Sequence, residues 1–448
     1  MVSADNLNLD VLEVIFSFLS GNDLPAVALV SQSFLVAVIP RLYHTISYRI
    51  RQGKGYASGE TISPFAAVIA HPHLAIHVQN IEISTVPTVK SVVHPVFVRE
   101  CREALRICKN LKSFKCIVQN VLPMFLPALQ EKGRLNTLRI YANLTTTQAT
   151  MLVNITGLES LSLEFASWNT VDLLPSWSSS LSRTLTTLSL YMINVLHEDI
   201  FASVLGNLPN LVGLHVVGCP KLDHVAIFKH LTKTPLLENL SITVTETTKP
   251  LPLIPLALHH LRNLALDAKY TMQPSPVTVL ASVLTYLNSS SPSLSSFAIK
   301  MPERKVVVGE PFIDLLIDNH QSTLRRLAFL DCGVSRESII KICKKCLRLE
   351  RLDVAIPMKE LAAFAMNISH SRTLRTIVDV DNHVDHSMQP TLTHDTVRLM
   401  MIQCRSLMRI VTNRRIWTGK VDANNNVIVS LEKRPSRRHG SLWFMPRD

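Results

Sequence analysis

Residues 135–143 read LNTLRIYAN. Leu135, Leu138 and Ile140 fit the string L-x-x-L-x-L, and Asn143 follows three positions later. Leu138 and Ile140 are two apart, the interval at which an extended strand returns to one face, so Arg139 and Tyr141 must face the other way. The same six positions return as LESLSLEFA from 158, LTTLSLYMI from 185, LVGLHVVGC from 211, LENLSITVT from 237 and LRNLALDAK from 261. They continue as LSSFAIKMP from 294, LRRLAFLDC from 324, LERLDVAIP from 349 and LRTIVDVDN from 374, with weaker copies at 78 (VQNIEISTV) and 111 (LKSFKCIVQ). A string repeated at intervals of roughly 23 to 33 residues is not produced by unrelated strand and helix pairs.

Helical periodicity fills the intervals. In HEDIFASVLGNLPN, Ile200, Val204 and Leu208 recur every fourth residue, with Asp199 or His197 at the start and Pro209 beyond the end. RESIIKICKKCLRL puts Ile339, Ile342, Cys343 and Cys346 toward the strands. A strand and a returning helix at this spacing fit leucine-rich repeats, whose period is about 20 to 29 residues. The expected fold is α/β: a leucine-rich-repeat solenoid, a horseshoe with parallel strands on its concave face and helices outside. At the ninth repeat position Asn143, Cys219 and Cys332 are expected to bond the turn backbone. Insertions such as TMQPSPVTVL, KMPERKVVVGEP and DNHVDHSMQPTLTHD are expected at the surface.

The first forty residues differ. In LNLDVLEVIFSFLSGNDLPAVALVSQSFLVAVIPRLY (7–43), Val11, Ile15 and Phe18 share one helical face, with Leu12, Phe16 and Leu19 alongside. Gly21 can end that helix, Asp23 caps a second carrying Leu24, Val27 and Val30, and Phe34 and Val38 mark a third that Pro40 should break. Three short helices cannot enclose so many apolar residues, so part of this surface is expected to meet another surface.

This segment resembles an F-box, whose usual pattern is L-P-x-E-[IV]-L-x-x-I-[FL]-x-[FY]-L, then D-L, then L-V-[SC]-[RK]-x-[FW]. Leu7, Asp10, Val11, Leu12, Ile15, Phe16, Phe18, Leu19, Asp23, Leu24, Leu29, Val30, Ser31 and Phe34 match in register. Asn8 stands where the family usually has Pro, and Gln32 where it has a basic residue; Asn8 can still cap the first helix. With the repeats behind it, the chain resembles F-box/leucine-rich-repeat proteins, and IPRLYHTI is similar to the fungal members. The resemblance implies a non-catalytic substrate-recognition subunit of an SCF-type (Skp-cullin-F-box) E3 ubiquitin ligase. Its partners would be a Skp-type adaptor, through it a cullin, and a protein target. Leu7, Leu12, Ile15, Phe16, Leu19, Leu24, Val27 and Val30 would bind the adaptor. The expected domains are an F-box at 1–48, a linker or first capping segment at 49–77, the repeats at 78–412 and a basic tail at 413–448.

In such a solenoid the target would meet the residues flanking the inward apolar pair. One column reads Lys115, Arg139, Ser162, Ser189, His215, Ser241, Ala265, Ala298, Ala328 and Asp353, and the next includes Tyr141 and Tyr191. Lys115, Arg139, Tyr141, Tyr191, His215, Arg326, Arg351 and Asp353 are the candidate target-binding residues. Their basic and aromatic character suits an acidic or phosphorylated peptide.

Composition narrows the alternatives. Hydrophobic residues make up 47% and charged residues 18%, too apolar for a disordered chain. No run of apolar residues is long enough for a membrane span. The start, MVSADNLNLD, lacks a basic signal region, and the eight cysteines have no disulfide-framework spacing, so a reduced cytoplasmic or nuclear location is expected. Of the net charge of +12, part sits in EKRPSRRHGSLWFMPRD, read as a solvated tail carrying Lys433, Arg434, Arg437, Arg438 and Arg447. With 13 glycines the chain has no phosphate-binding loop. CKKC at 343–346 lacks a second pair, and neither HHL at 259 nor His383 and His386 among Asp379, Asp381 and Asp385 forms a specific metal signature. No cofactor and no membrane are expected. The alternative to a ligase receptor is a leucine-rich-repeat scaffold that binds protein or RNA.

Overall fold

The computed structural model describes residues 8–19, 23–48, 63–252, 258–268, 276–289, 292–301, 306–380, 392–412, 415–422, 426–433 and 442–445. Packing divides the chain into two compact units, Met1–Leu208 and Pro209–Asp448.

The first unit begins with three helices, Leu9–Ser17, Asp23–Ala28 and Gln32–Leu42. Asn8 is the N-cap of the first, its side-chain oxygen accepting the Asp10 N–H at 3.4 Å, and Ser31 caps the third through the Phe34 N–H at 3.2 Å. Leu12 and Phe16 form the small core with Ala37 and Val38. Pro40 does not end the third helix as expected. It sits in the last turn, where its missing N–H costs one bond, and the Tyr43 N–H still reaches the Ile39 carbonyl at 3.0 Å.

The strands of this unit are β1 (Thr45–Tyr48), β2 (Asn80–Ile83), β3 (Thr88–Val89), β4 (Val92–Val93), β5 (Ser113–Cys116), β6 (Thr137–Tyr141), β7 (Ser160–Glu164) and β8 (Thr187–Tyr191). β3 and β4 make a small antiparallel hairpin, while the rest pair in parallel in chain order from β1 to β8. Leu138, Leu161 and Leu188 stand beside one another by register, each buried. Each such leucine contributes roughly 1.5 to 3 kcal/mol by leaving water.

The returning helices close the core from one side. Pro95–Ile107 starts at its proline and buries Phe97, Cys101, Ala104 and Leu105, residues three or four apart. Thr146–Val153 is opened by a capping box between Thr145 and Gln148. The array therefore starts earlier than the expected 78. Ile46 and Tyr48 alternate as a strand and are buried once Thr45 pairs beside Asn80. The segment expected as linker also carries the helix Pro64–Ala70.

The second unit contains β9 (Gly213–Val217), β10 (Asn239–Thr243), β11 (Asn263–Asp267), β12 (Ser296–Lys300), β13 (Val307–Val308), β14 (Arg326–Leu330), β15 (Gly333–Val334), β16 (Arg351–Val354), β17 (Thr376–Asp379), β18 (Arg409–Val411), β19 (Arg415–Val421) and β20 (Val427–Lys433). Among the described residues β13 and β15 pair with each other alone. The remaining strands from β9 to β18 pair in parallel, and β18, β19 and β20 then run antiparallel. The basic tail expected at 413–448 is thus corrected, since Arg415–Val421 and Val427–Lys433 are strands of the sheet. A hairpin covers the edge that β18 would otherwise present, and Ile416 packs with Val378 and Val411.

One turn recurs in both units. Phe165, Met192, Gly218 and Asp331 each follow directly on a strand and each take positive φ, at 52°, 55°, 72° and 54°. Only Gly218 does so without a steric cost. After β6 the ninth-position residue lies at the surface. Asn143 is exposed, and the Thr170 hydroxyl from the next repeat donates to the Ala142 carbonyl at 3.0 Å. Among the described residues no helix is long and apolar enough to cross a membrane.

Candidate functional site

The first helix has two apolar stripes, and the third helix decides between them. Leu12 and Phe16 turn inward against Ala37 and Val38. Val11, Val14, Ile15 and Phe18, spaced i, i+3, i+4 and i+7, turn outward with 45%, 62%, 46% and 84% of their surface exposed. Leu29 and Val30 at the end of the second helix are also exposed. Of the residues expected to bind an adaptor, Leu12 and Phe16 are therefore corrected to core, since a side chain enclosed by its own helices has no surface to offer. Leu19, Leu24 and Val27 are half-buried against that core, Ile15 and Val30 are exposed, and Leu7 lies outside the described residues. Sequence reasoning left Val11, Val14, Phe18 and Leu29 out of the adaptor-binding set, although the i, i+3, i+4, i+7 spacing of the first three with Ile15 was readable.

The expected target-binding columns are real neighbours. Lys115, Arg139, Ser162 and Ser189 stand side by side in the first unit. His215, Ser241, Ala265, Ala298, Ala328 and Asp353 do so in the second. The candidates thus fall into two groups. In the first unit Arg139 donates to Glu164 at 2.6 Å, and both are largely buried. Phe165, in its left-handed conformation, stacks on Tyr141 at 5.3 Å and meets Tyr191 edge-on at 6.1 Å. The result is an aromatic trio whose middle member, 40% exposed, the sequence reading missed.

In the second unit Arg351 holds Asp353 through two bonds, of 2.6 and 2.8 Å, and this pairing raises the Arg351 pKa further. Arg139 and Arg351 therefore already have carboxylate partners. This corrects the picture of an open basic patch waiting for phosphate, because an incoming anion would have to displace a carboxylate from each. Arg326 is exposed on the neighbouring strand.

His215 is buried and its ring Nδ1 lies 2.8 Å from the Ser241 hydroxyl. Burial lowers its pKa to about 4, so the ring is neutral near pH 7. Ser241 in turn donates to the main-chain carbonyl of Phe444 at 2.9 Å. Around these groups lies a cavity of about 210 Å³, lined also by Lys300, Arg326, Arg351, Trp443 and Met445.

All eight cysteines are buried free thiols. Burial raises Cys116, Cys332, Cys343 and Cys346 to about 12, which keeps them protonated and poor nucleophiles. Among the described residues no group of three or more His, Cys, Asp or Glu is placed to hold a metal. His383, His386, Asp381 and Asp385 lie outside the described residues, while Asp379 accepts the Ile356 N–H at 3.3 Å.

No family model matches the chain, and no curated protein matches it. Among solved structures it is similar to a chain of the Rad7 and Elc1 complex in yeast, at 18% identity and a TM-score of 0.43, covering 72% of this chain and 76% of that one. It is also similar to a chain of the TLR13–ssRNA13 complex, at 16% identity and a TM-score of 0.36, covering 75% of this chain and 43% of that one.

Proposed function

We propose that this chain is the substrate-recognition subunit of an SCF-type E3 ubiquitin ligase, its first three helices an F-box that binds a Skp-type adaptor and its leucine-rich repeats the holder of the target protein. The reading is carried by the outward stripe of Val11, Val14, Ile15 and Phe18, continued by Leu29 and Val30. These residues lie on helices that already have a core of their own, so the exposed set is surplus to folding. On this reading the chain catalyses nothing. It raises the effective concentration of a target lysine beside a charged ubiquitin-carrying enzyme, in cytoplasm or nucleus.

Co-expression with a Skp-type adaptor tests it. The two are expected to co-purify at one-to-one stoichiometry, and Phe18→Asp with Val14→Asp is expected to abolish the association while leaving circular dichroism unchanged. A wild-type chain that stays soluble and ignores the adaptor would remove the ligase reading.

One observation favours a scaffold that binds RNA instead. A cavity of about 750 Å³ in the second unit is lined by Arg325, Arg348, Arg372, Arg375, Arg405 and Lys420, with Glu350 as its acidic residue. RNA held there would be lost steeply between about 50 and 200 mM salt. Binding that is absent at low salt, or insensitive to it, would exclude this second reading.

A further inference from the structure

The segment Leu442–Met445 returns to the sheet of its own unit. The Ser241 hydroxyl donates to the Phe444 carbonyl across 203 positions of sequence. Because that hydroxyl has a single proton, His215 must be the donor in its 2.8 Å contact with Ser241, so His215, Ser241 and Phe444 form one directed chain of hydrogen bonds. Phe444 is 3% exposed, with its ring 5.8 Å from the His215 ring. Trp443 packs edge-on against it, and the Lys300 ammonium stands 5.5 Å from the Trp443 ring centre.

What lies beneath is a trough. Ala265, Ala298 and Ala328 are direct neighbours by register, so three successive strands present only methyl groups where larger residues would fill the space. The cavity runs on past Met445 to Arg326 and Arg351, leaving room beside the segment. Leu442–Met445 forms a turn, the Met445 N–H donating to the Leu442 carbonyl at 3.3 Å, and it offers the sheet one chain carbonyl and one buried aromatic ring, the contacts by which a short peptide turn seats on a receptor surface.

We propose that this trough is a peptide-recognition groove for segments bearing an aromatic residue, and that Leu442–Met445 is its built-in occupant, displaced when a target peptide binds. The groove goes beyond the ligase reading and stands without it, because a scaffold would use the same face.

The test uses the full chain and a labelled peptide of residues 440–448, GSLWFMPRD. Trp443→Ala with Phe444→Asp should vacate the groove and raise affinity for the peptide by about tenfold or more over wild type. Adding Ser241→Ala should lower it again by about fivefold, the worth of one hydrogen bond. A folded double variant that binds the peptide no better than wild type overturns the proposal. Should that variant aggregate, wild type titrated with the tryptophan-free peptide GSLFFMPRD decides the matter. Displacement would give a saturable red shift of fluorescence that the Trp443→Phe variant lacks, and no shift at roughly a hundredfold excess of peptide would overturn the proposal. Adaptor capture is read separately, so failure of one reading is distinct from failure of the other.

Discussion

Arg139 Nε lies 2.6 Å from Glu164 Oε1, joining the fifth position of one repeat to the seventh of the next. Both side chains are largely buried, at 17% and 8% exposure, so the carboxylate depends on the guanidinium for its charge balance. Arg139→Ala is expected to cost about 3 kcal/mol in urea unfolding by leaving Glu164 buried and unpaired, whereas Arg139→Met with Glu164→Leu should be nearly neutral. An unchanged urea midpoint in the single variant would show that the pair contributes nothing to stability.

The two stripes of the first helix should separate stability from association. Leu12→Ala removes core and is expected to destabilise the N-terminal helices by about 2 to 5 kcal/mol. Val14→Asp and Phe18→Asp alter exposed positions and should stay within about 0.5 kcal/mol of wild type in thermal melts. If the exposed pair proves as destabilising as Leu12→Ala, the stripe is covered within the protein itself.

Acid should weaken the second unit in a defined window. Burial holds His215 and His320 neutral, each lowered to about 4 from an ordinary value near 6.5. Above pH 6.5 both folded and unfolded chains carry neutral rings, and this stability is fully present. Between about pH 6.5 and 4 the unfolded chain takes up protons that the folded one refuses, so stability falls with pH, by about 3 kcal/mol for His215. Denaturant midpoints of His215→Gln should fall less over that window, and identical slopes would contradict this assignment.

The thiols should be silent in the native state. All eight are buried, and those of Cys343 and Cys346 are raised to about 12. Iodoacetamide at pH 8 should modify none in the folded chain and all eight in urea, counted by mass. Rapid labelling of Cys343 and Cys346 in native protein would show that the helix carrying them opens.

Repeats were readable from residue 78 to 374 because each carries an apolar pair, most often with leucine, on one face of a strand. Those at the ends were not. Around β1 the apolar pair is Ile46 and Tyr48, directly behind a helical segment, and around β18 Thr412 stands where the string has a core residue. Only pairing, Thr45 beside Asn80 and Arg409 beside Thr376, identifies both as members of the array. Trp443 and Phe444 stand out as aromatics in a basic run, yet nothing local links them to Ser241.

The sequence by itself determined the strand and helix periods, the leucine columns and the polar columns between them, because each depends on residues a few positions apart. Tertiary structure alone decided which apolar stripe of the first helix is core, that Arg139 is neutralised by Glu164 of the next repeat, and that Leu442–Met445 lies on β10. Those outcomes depend on burial and on partners brought together from distant positions, and a side chain's exposure and charge balance are properties of its neighbours in space.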